Sequence, residues 1–325
     1  MKHTFESWLK PYIDGLIQQK RTDGFVYLSE EYHLKKLDEF CALQLPDEAP
    51  ITKDFAHEWT KLKPSESETS RRSRVNALRQ LGLYMLSLGR DVYVPQHSGK
   101  VTRPVLYIPS RKEISAFFAK LDVWECRGNK HFSLRLANEY KILFRLYYCC
   151  GLRVSEARLL KRDNVDFDKG ILTILESKGK KDRLVFLPDD GRQMLRDYLM
   201  YIQDIAPDSH WLFPGKDMNA PISQCSIGAR FKACWDSLSF AKNAYKRPTP
   251  HCLRHAFVVE RMNDWMKQGL DTQELLPYLS KYLGHKSPSE TFYYYHLVDN
   301  AFAVIREKDS VSNRVIPEVM DYEEI

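Results

Sequence analysis

Two short polar segments near the C-terminal end of the chain decide how the rest is interpreted. The first reads Thr-Pro-His-Cys-Leu-Arg-His at residues 249–255, and the second reads Leu-Gly-His-Lys-Ser-Pro-Ser-Glu-Thr-Phe-Tyr-Tyr-Tyr-His at residues 283–296. His251 and Arg254 are three residues apart, which places both side chains on one face of a helix. His285 follows a Leu-Gly pair, and Tyr294 stands nine residues after it.

These residue types suit phosphoryl transfer that proceeds without a metal ion. An arginine presents a planar fork of donors that matches phosphate oxygens. A histidine moves protons or donates hydrogen bonds, and a tyrosine is a nucleophile that can carry a phosphate covalently. The two segments therefore predict an anion site with a nucleophile beside it.

Two further segments contain candidate site residues. Residues 151–156 read Gly-Leu-Arg-Val-Ser-Glu, with Arg153 in the turn before a helix for which Ser155 is the predicted N-cap. Taken alone, an arginine and a glutamate at this spacing also fit a structural pair that closes a turn. Residues 178–181 read Lys-Gly-Lys-Lys between predicted strands at 171–176 and 183–187, where Gly179 suits a hairpin turn.

Together the four segments resemble the active site of the tyrosine recombinases, the phage integrase family. The resemblance covers residues 151–296 and follows the family's order: an Arg box, a Lys in a β-hairpin turn, His-x-x-Arg, Leu-Gly-His and a Tyr nine residues later. It implies a set of catalytic residues, namely Arg153, Lys178, His251, Arg254, His285 and Tyr294. Glu156 would orient Arg153, and Lys180 is the alternative to Lys178 at the hairpin tip.

The resemblance also implies a reaction. Tyr294 would attack the scissile phosphate and form a 3′-phosphotyrosyl link with a free 5′-hydroxyl, while Arg153 and Arg254 offset the developing charge. His251 would act as the general base, Lys178 would protonate the 5′-oxygen, and His285 would hydrogen-bond the phosphate. No cofactor and no metal would be needed.

The implied function is that of a site-specific DNA recombinase, such as the integrase or transposase of a mobile element. A type IB topoisomerase, which nicks and reseals one strand with a similar set of residues, is one alternative. A catalytically silent DNA-binding accessory protein is the other.

Composition agrees with a DNA-binding enzyme without proving it. The chain has 325 residues, 43% of them hydrophobic, and a formal net charge of +6. Residues 108–310 contain 32 Lys and Arg against 25 Asp and Glu, a net charge of +7. Such mild basicity is compatible with nucleic acid.

The cysteine pattern and the N-terminal residues indicate the cellular compartment in which the chain would act. Seven cysteines without a C-x-x-C pair favour a reduced chain over a disulfide scaffold. The N-terminus does not read as a signal peptide, and no run of 18 apolar residues predicts a membrane span. We expect a cytoplasmic, nucleoid-associated protein.

The periodicity of apolar residues predicts a mainly α fold of the α+β type. We expect helices over 4–20 and 28–43, one opened by Thr52, and one that follows Thr69-Ser70 and ends near Leu88. By the resemblance, these helices would form an N-terminal SAM-like helical core DNA-binding domain over 1–100. A mixed α/β catalytic domain with a small three-stranded antiparallel sheet follows over 101–310, and the two would clamp a DNA duplex. Residues 311–325 form a C-terminal tail.

Several basic residues outside the catalytic set are candidate DNA contacts. A cluster of arginines begins the fourth helix, and basic residues occupy the hairpin turn: Arg71, Arg72, Arg74, Arg79, Lys180 and Lys181. A solvated helix face explains such arginines equally simply, but next to a DNA-cleaving domain phosphate contact is favoured. His251 and His255 also have metal-ligand spacing, although no third ligand suggests itself.

The tail and the assembly complete the expectations. Residues 311–325 contain four acidic residues against one arginine, together with several apolar side chains. A disordered terminus is one interpretation. The other, which the family implies, is a segment that docks on a neighbouring subunit of a homo-tetramer on double-stranded DNA. Accessory recombinases or DNA-bending proteins are further expected partners.

Overall fold

The first unit of the chain is built from helices. The computed structural model describes residues 4–45, 48–96, 106–124, 130–175, 182–244 and 246–294, without the side chains of 130–133 and 243. The chain divides into two units, Met1–Pro104 and Val105–Ile325. Within the described part of the first unit the helices are α1 (Lys10–Thr22), α2 (Leu28–Gln44), α3 (Lys53–Thr60) and α4 (Glu68–Ser87).

The apolar faces of these helices form one core. α4 packs against α1, α2 and α3. Ile13 and Leu34 are fully buried in this core, which also includes the buried Trp59. The predicted Thr52 N-cap is confirmed, because its side chain accepts from the amide of Phe55 at 3.2 Å. The predicted start of α4 is wrong: Ser67, and not Thr69-Ser70, caps this helix, since its Oγ accepts from the amide of Ser70.

The second unit contains more helices and a sheet. Its first helix is opened by a capping box formed by Ser110 and Glu113. The described helices are α5 (Arg111–Asp122), α6 (Lys130–Cys149), α7 (Val154–Arg158), α8 (Asp189–Ile205), α9 (Gln224–Asp236), α10 (His251–Lys267), α11 (Thr272–Leu283) and α12 (Pro288–Phe292). None of the helices in the described ranges is long and apolar enough to cross a lipid bilayer.

The sheet has three antiparallel strands in the order β1 (Val165–Asp166), β2 (Ile171–Ile174) and β3 (Arg183–Phe186). Leu172 pairs with Val185 and Ile174 with Arg183. Leu172 and Ile174 are buried while their neighbours on β2 are partly exposed, the alternation of a sheet with one covered face. The mainly α fold with a small three-stranded antiparallel sheet is therefore confirmed.

Helix α6 lies in the core of the second unit and leads into the site. It packs against α8 and α10. Phe117, Phe144 and Phe231 form aromatic contacts around it, with Phe144 and Phe231 ring centroids 5.8 Å apart. The chain then turns at Gly151 with φ of +62°, a left-handed conformation that favours glycine. A Cβ at this position would lie 2.6 Å from the Phe257 ring. This turn brings Arg153 to the edge of the core.

Candidate active site

Arg153 is positioned at the start of α7. It occupies the N-cap position with extended backbone, and its amide donates to Glu156 at 2.8 Å. The prediction that Ser155 is the N-cap is wrong, because the glutamate side chain satisfies the amide that precedes the helix. The Arg153 guanidinium donates to Glu156 at 2.6 Å and to the carbonyl of Gly284 at 2.8 Å. It is thus fixed between two segments 131 residues apart.

Glu156 is the acceptor around which the arginines are arranged. Both of its oxygens accept from Arg183 on β3 at 2.8 Å, a bidentate pair, and Arg254 lies 3.8 Å away. Burial would raise the pKa of this carboxyl, but the hydrogen bonds and charge of Arg183, with those of Arg153, outweigh it and lower the pKa to about 2. Glu156 is therefore ionised at neutral pH.

Arg254 lies on α10 with its side chain 1% exposed. Its guanidinium donates to the carbonyls of Gly151 at 2.6 Å and Leu283 at 2.8 Å, and contacts His285 Nε2 at 3.1 Å. The other ring nitrogen of His285 lies 2.7 Å from the Thr291 hydroxyl. Burial, followed by the charge of Arg153, lowers the pKa of Arg254 to about 10, so it stays cationic.

The imidazoles of the site are neutral at pH 7. Burial, and after it the charge of Arg254, lowers the pKa of His251 to about 4 and that of His285 to about 3. A neutral imidazole has one donor and one acceptor nitrogen. These histidines can therefore accept a proton or donate a hydrogen bond, and they add no positive charge to the site before the reaction.

Tyr294 follows α12, in the turn after the helix, and is 5% exposed. Its hydroxyl lies 2.7 Å from Nδ1 of His255 on α10. Burial raises the pKa of the phenol to about 12, although Arg254 and Arg153 oppose the change. The phenol is therefore protonated at rest and needs a proton acceptor before it can attack.

One cavity of about 210 Å³ brings the predicted residues together. Its walls include five of them, namely Arg153, His251, Arg254, His285 and Tyr294. Lys286 and Glu290 also line it. The remaining predicted residue, Lys178, and the hairpin residues Lys180 and Lys181 lie outside the described residues.

The contact of His255 with Tyr294 was not predicted. From the sequence, His255 was only half of a possible metal pair with His251, whose ring centroid lies 4.6 Å away. Within the described ranges no group of three His, Cys, Asp or Glu side chains could hold a metal ion. The signal in the sequence was the helical spacing of the two histidines, since residues four apart share a face.

The arginines of α4 differ in exposure. Arg74 is 4% exposed, donates to both oxygens of Glu66 and stacks 5.0 Å from the Trp59 ring. Arg71 and Arg79 donate to backbone carbonyls, of Thr60 and Pro95. Arg72 is exposed.

The arrangement can bind one anion and attack it. Two cationic guanidiniums and neutral imidazoles line the cavity together with Tyr294. Donors already fixed by their own hydrogen bonds need little reorganisation when charge develops on a bound anion.

Several known proteins are similar to this chain. Residues 130–301 match the model of the phage integrase family. A putative integrase/recombinase of Sinorhizobium fredii (strain NBRC 101917 / NGR234), y4rB, is 30% identical over 300 residues, which cover 89% of this chain and 92% of the relative. A second from the same strain, y4eF, is 35% identical over 153 residues, 47% of this chain and 55% of the relative. The chain thus spans about half the length of y4eF.

Among solved structures, the chain is similar to the XerH site-specific recombinase bound to palindromic difH substrate in a post-cleavage complex. The TM-score is 0.61 at 18% identity, over 87% of this chain and 78% of the other. At this identity the likeness concerns the fold.

Proposed function

The chain belongs to the phage integrase family of tyrosine recombinases, enzymes that cut and rejoin DNA, and we propose that it recombines DNA at specific sites through a covalent bond between Tyr294 and a 3′-phosphate. The observation that carries the proposal is the convergence of five predicted residues on one cavity from segments more than 100 residues apart in sequence. If Arg153 and Glu156 were only a structural pair, nothing would require a tyrosine at the same cavity.

The proposed chemistry begins with the attack of the Tyr294 oxygen on phosphorus. Arg153 and Arg254 offset the charge on the non-bridging oxygens, and preorganised donors of this kind are worth roughly 3–4 kcal/mol each. His285 is assigned to hydrogen-bond the phosphate in place of Arg254, whose guanidinium its Nε2 contacts in the free site. The phosphodiester energy stays in the protein–DNA bond, so the strand can be rejoined by the reverse reaction.

The proton transfers are assigned to two further groups. His251, which is neutral and lines the cavity, takes the phenol proton. Lys178 protonates the departing 5′-oxygen, with Lys180 as the alternative. Glu156 orients Arg153, a role supported by the two hydrogen bonds between them.

Binding of double-stranded DNA is proposed to involve both units. The net charge of +7 over residues 108–310 supports attraction to phosphates. Among the arginines of α4 we assign phosphate contact first to exposed Arg72, and then to Arg71 and Arg79. The burial of Arg74 against Trp59 favours a structural role for that residue.

The assembly and biological setting are also proposals. We propose a homo-tetramer on paired sites, in which residues 311–325 dock on the neighbouring catalytic domain, with help from accessory recombinases or DNA-bending proteins. Movement or integration of a mobile element inside the cytoplasm, at the nucleoid, is the setting in which such an enzyme would act.

Formation of a covalent protein–DNA adduct tests the proposal. The protein is incubated with duplexes from the regions that flank its gene, each nicked to trap intermediates, and adducts are separated on denaturing gels. We expect adducts with the parent and with Tyr293→Phe, and none with Tyr294→Phe, which should still bind DNA. Adducts with Tyr294→Phe would overturn the assignment. Plasmid products then separate recombination from the relaxation that a topoisomerase would give, and absence of any adduct would favour a silent accessory protein.

A further inference from the structure

Tyr294 is held from two sides that differ in character. On one side it lines the cavity, together with His251. On the other its hydroxyl meets Nδ1 of His255 at 2.7 Å, with ring centroids 5.5 Å apart and planes tilted by 43°. His255 is absent from the cavity wall. Tyr294 therefore has one side towards the cavity and its hydroxyl in contact with His255, which does not line the cavity.

The buried side is closely packed and hydrogen-bonded. His255 is on α10, one turn after His251, and Arg254 between them is anchored to two backbone carbonyls. Val258 and Leu283 are fully buried in the apolar cluster that also contains Tyr294. An imidazole fixed in this way can set the direction of the hydroxyl it contacts.

The direction of the hydrogen bond decides what His255 can do. If Tyr294 donated to Nδ1, the phenol proton would point away from the cavity, where neither the substrate nor His251 could receive it. If Nδ1–H donates to the phenol oxygen, the proton is left on the cavity side. Burial, and then the neighbouring His251 and Arg254, lower the pKa of His255 to about 3, so this imidazole is neutral at pH 7 and carries one N–H that it can donate.

We propose that His255 is a further catalytic residue of this site, which donates a hydrogen bond from Nδ1–H to the Tyr294 oxygen, aims that oxygen at the phosphate and stabilises the charge that it carries. The proposal rests on the function of Tyr294 as the nucleophile. It assigns to His255 a role separate from that of the base.

The step balances as follows. The Tyr294 O–H bond breaks and its proton goes to His251, while the Tyr294 oxygen forms a bond to phosphorus. The bond from phosphorus to the 5′-oxygen breaks, and that oxygen takes a proton from the acid assigned to Lys178. The Nδ1–H bond of His255 stays intact throughout. During rejoining the phenolate is the leaving group, and the same donor stabilises it.

Two substitutions of His255 distinguish the roles of its two ring nitrogens. An asparagine side chain places its amide near the position of Nδ1, whereas a glutamine places it near Nε2. We expect His255→Asn to form the covalent adduct within about tenfold of the parent rate. His255→Gln should be about 100-fold slower, since displacing a reacting group by about 1 Å can lower a reaction rate by about this factor. Exposed His210 provides the matched control, and His210→Gln should react at the parent rate.

The rates can also contradict the proposal in two ways. Equal slowing by Asn and Gln would show that His255 must exchange a proton and acts as a base. Faster cleavage by His255→Gln would show that the contact holds the nucleophile away from DNA. Both outcomes overturn the positioning role.

A second measurement needs no DNA and separates this proposal from the proposed function. In protein labelled with ¹⁵N-histidine, long-range ¹H–¹⁵N spectra report which ring nitrogen carries the proton, and the His255 signals are those missing from His255→Asn. We expect Nδ1 to be protonated. Protonation at Nε2 alone would overturn the donor assignment even if adducts form. If no DNA yields an adduct but Nδ1 is protonated, the proposed function fails while the contact stands.

Discussion

Replacement of Glu156 by glutamine tests how much the ionised carboxylate stabilises the second unit. The side chain is 3% exposed and accepts from Arg183 at two positions and from Arg153 at two more. Its pKa is lowered from 4.5 to about 2, and each pKa unit corresponds to about 1.4 kcal/mol, which gives ~3 kcal/mol. Loss of one partner from a buried ion pair costs about 3–5 kcal/mol by mutational comparison. We therefore expect Glu156→Gln to lower the free energy of unfolding by ~3 kcal/mol at pH 7.

The assay is urea unfolding followed by circular dichroism, with Asp189→Asn as the control. Asp189 is 85% exposed in its pair with Arg192, and exposed pairs contribute about 0–1 kcal/mol. Because the folded-state pKa of Glu156 is depressed, its stabilisation is present above about pH 4.5 and is lost as the pH falls through about 2. The difference between parent and Glu156→Gln should shrink over that window. A loss at pH 7 no larger than that of the control would refute the reasoning.

Three other predictions concern the turn, the hairpin and the tail. Gly151→Ala should lower the free energy of unfolding by ~2 kcal/mol or more in the same urea assay, because the residue has φ of +62° and a Cβ would lie 2.6 Å from Phe257; unchanged stability would contradict this. Lys178→Ala should slow cleavage of an ordinary 5′-oxygen substrate far more than that of a 5′-thio substrate, whose leaving group needs little protonation; equal defects in adduct formation would remove Lys178 from the role of acid. Truncation after Asp309 should spare single-site binding in gel-shift assays but impair recombination of two sites, and recombination at the full-length rate would contradict tail docking.

The sequence predicts the long helices well and their caps less well. The helix predicted over 28–43 is observed as α2 (Leu28–Gln44), because apolar residues recur there at helical spacing. The capping residues of helices are harder to predict, since several Ser and Thr residues near the start of α4 are possible N-caps. Ser67 is the one whose backbone is extended and whose hydroxyl reaches an amide. At α7 the side chain of Glu156 replaces the expected serine.

The resemblance to the phage integrase family also predicted five of the residues that meet at the cavity, but not their contacts. It implies that Arg153 and Arg254 belong to one site, whereas the acceptors that hold Arg254, the carbonyls of Gly151 and Leu283, appear only in the folded chain. The contact between His255 and Tyr294 joins residues 39 apart and depends on the angle between helices. A local sequence pattern does not show which residues so far apart in sequence come into contact.

The most direct test of the central claim is to identify the atoms joined in the covalent complex. Adducts trapped on a nicked site are digested with protease and nuclease, and the nucleotide-bearing peptide is sequenced by mass spectrometry. We predict one modified residue, Tyr294, linked to a 3′-phosphate, with a free 5′-hydroxyl on the other DNA end. A nucleotide on Tyr293 or Tyr295, or a 5′-phosphate linkage, would contradict the account.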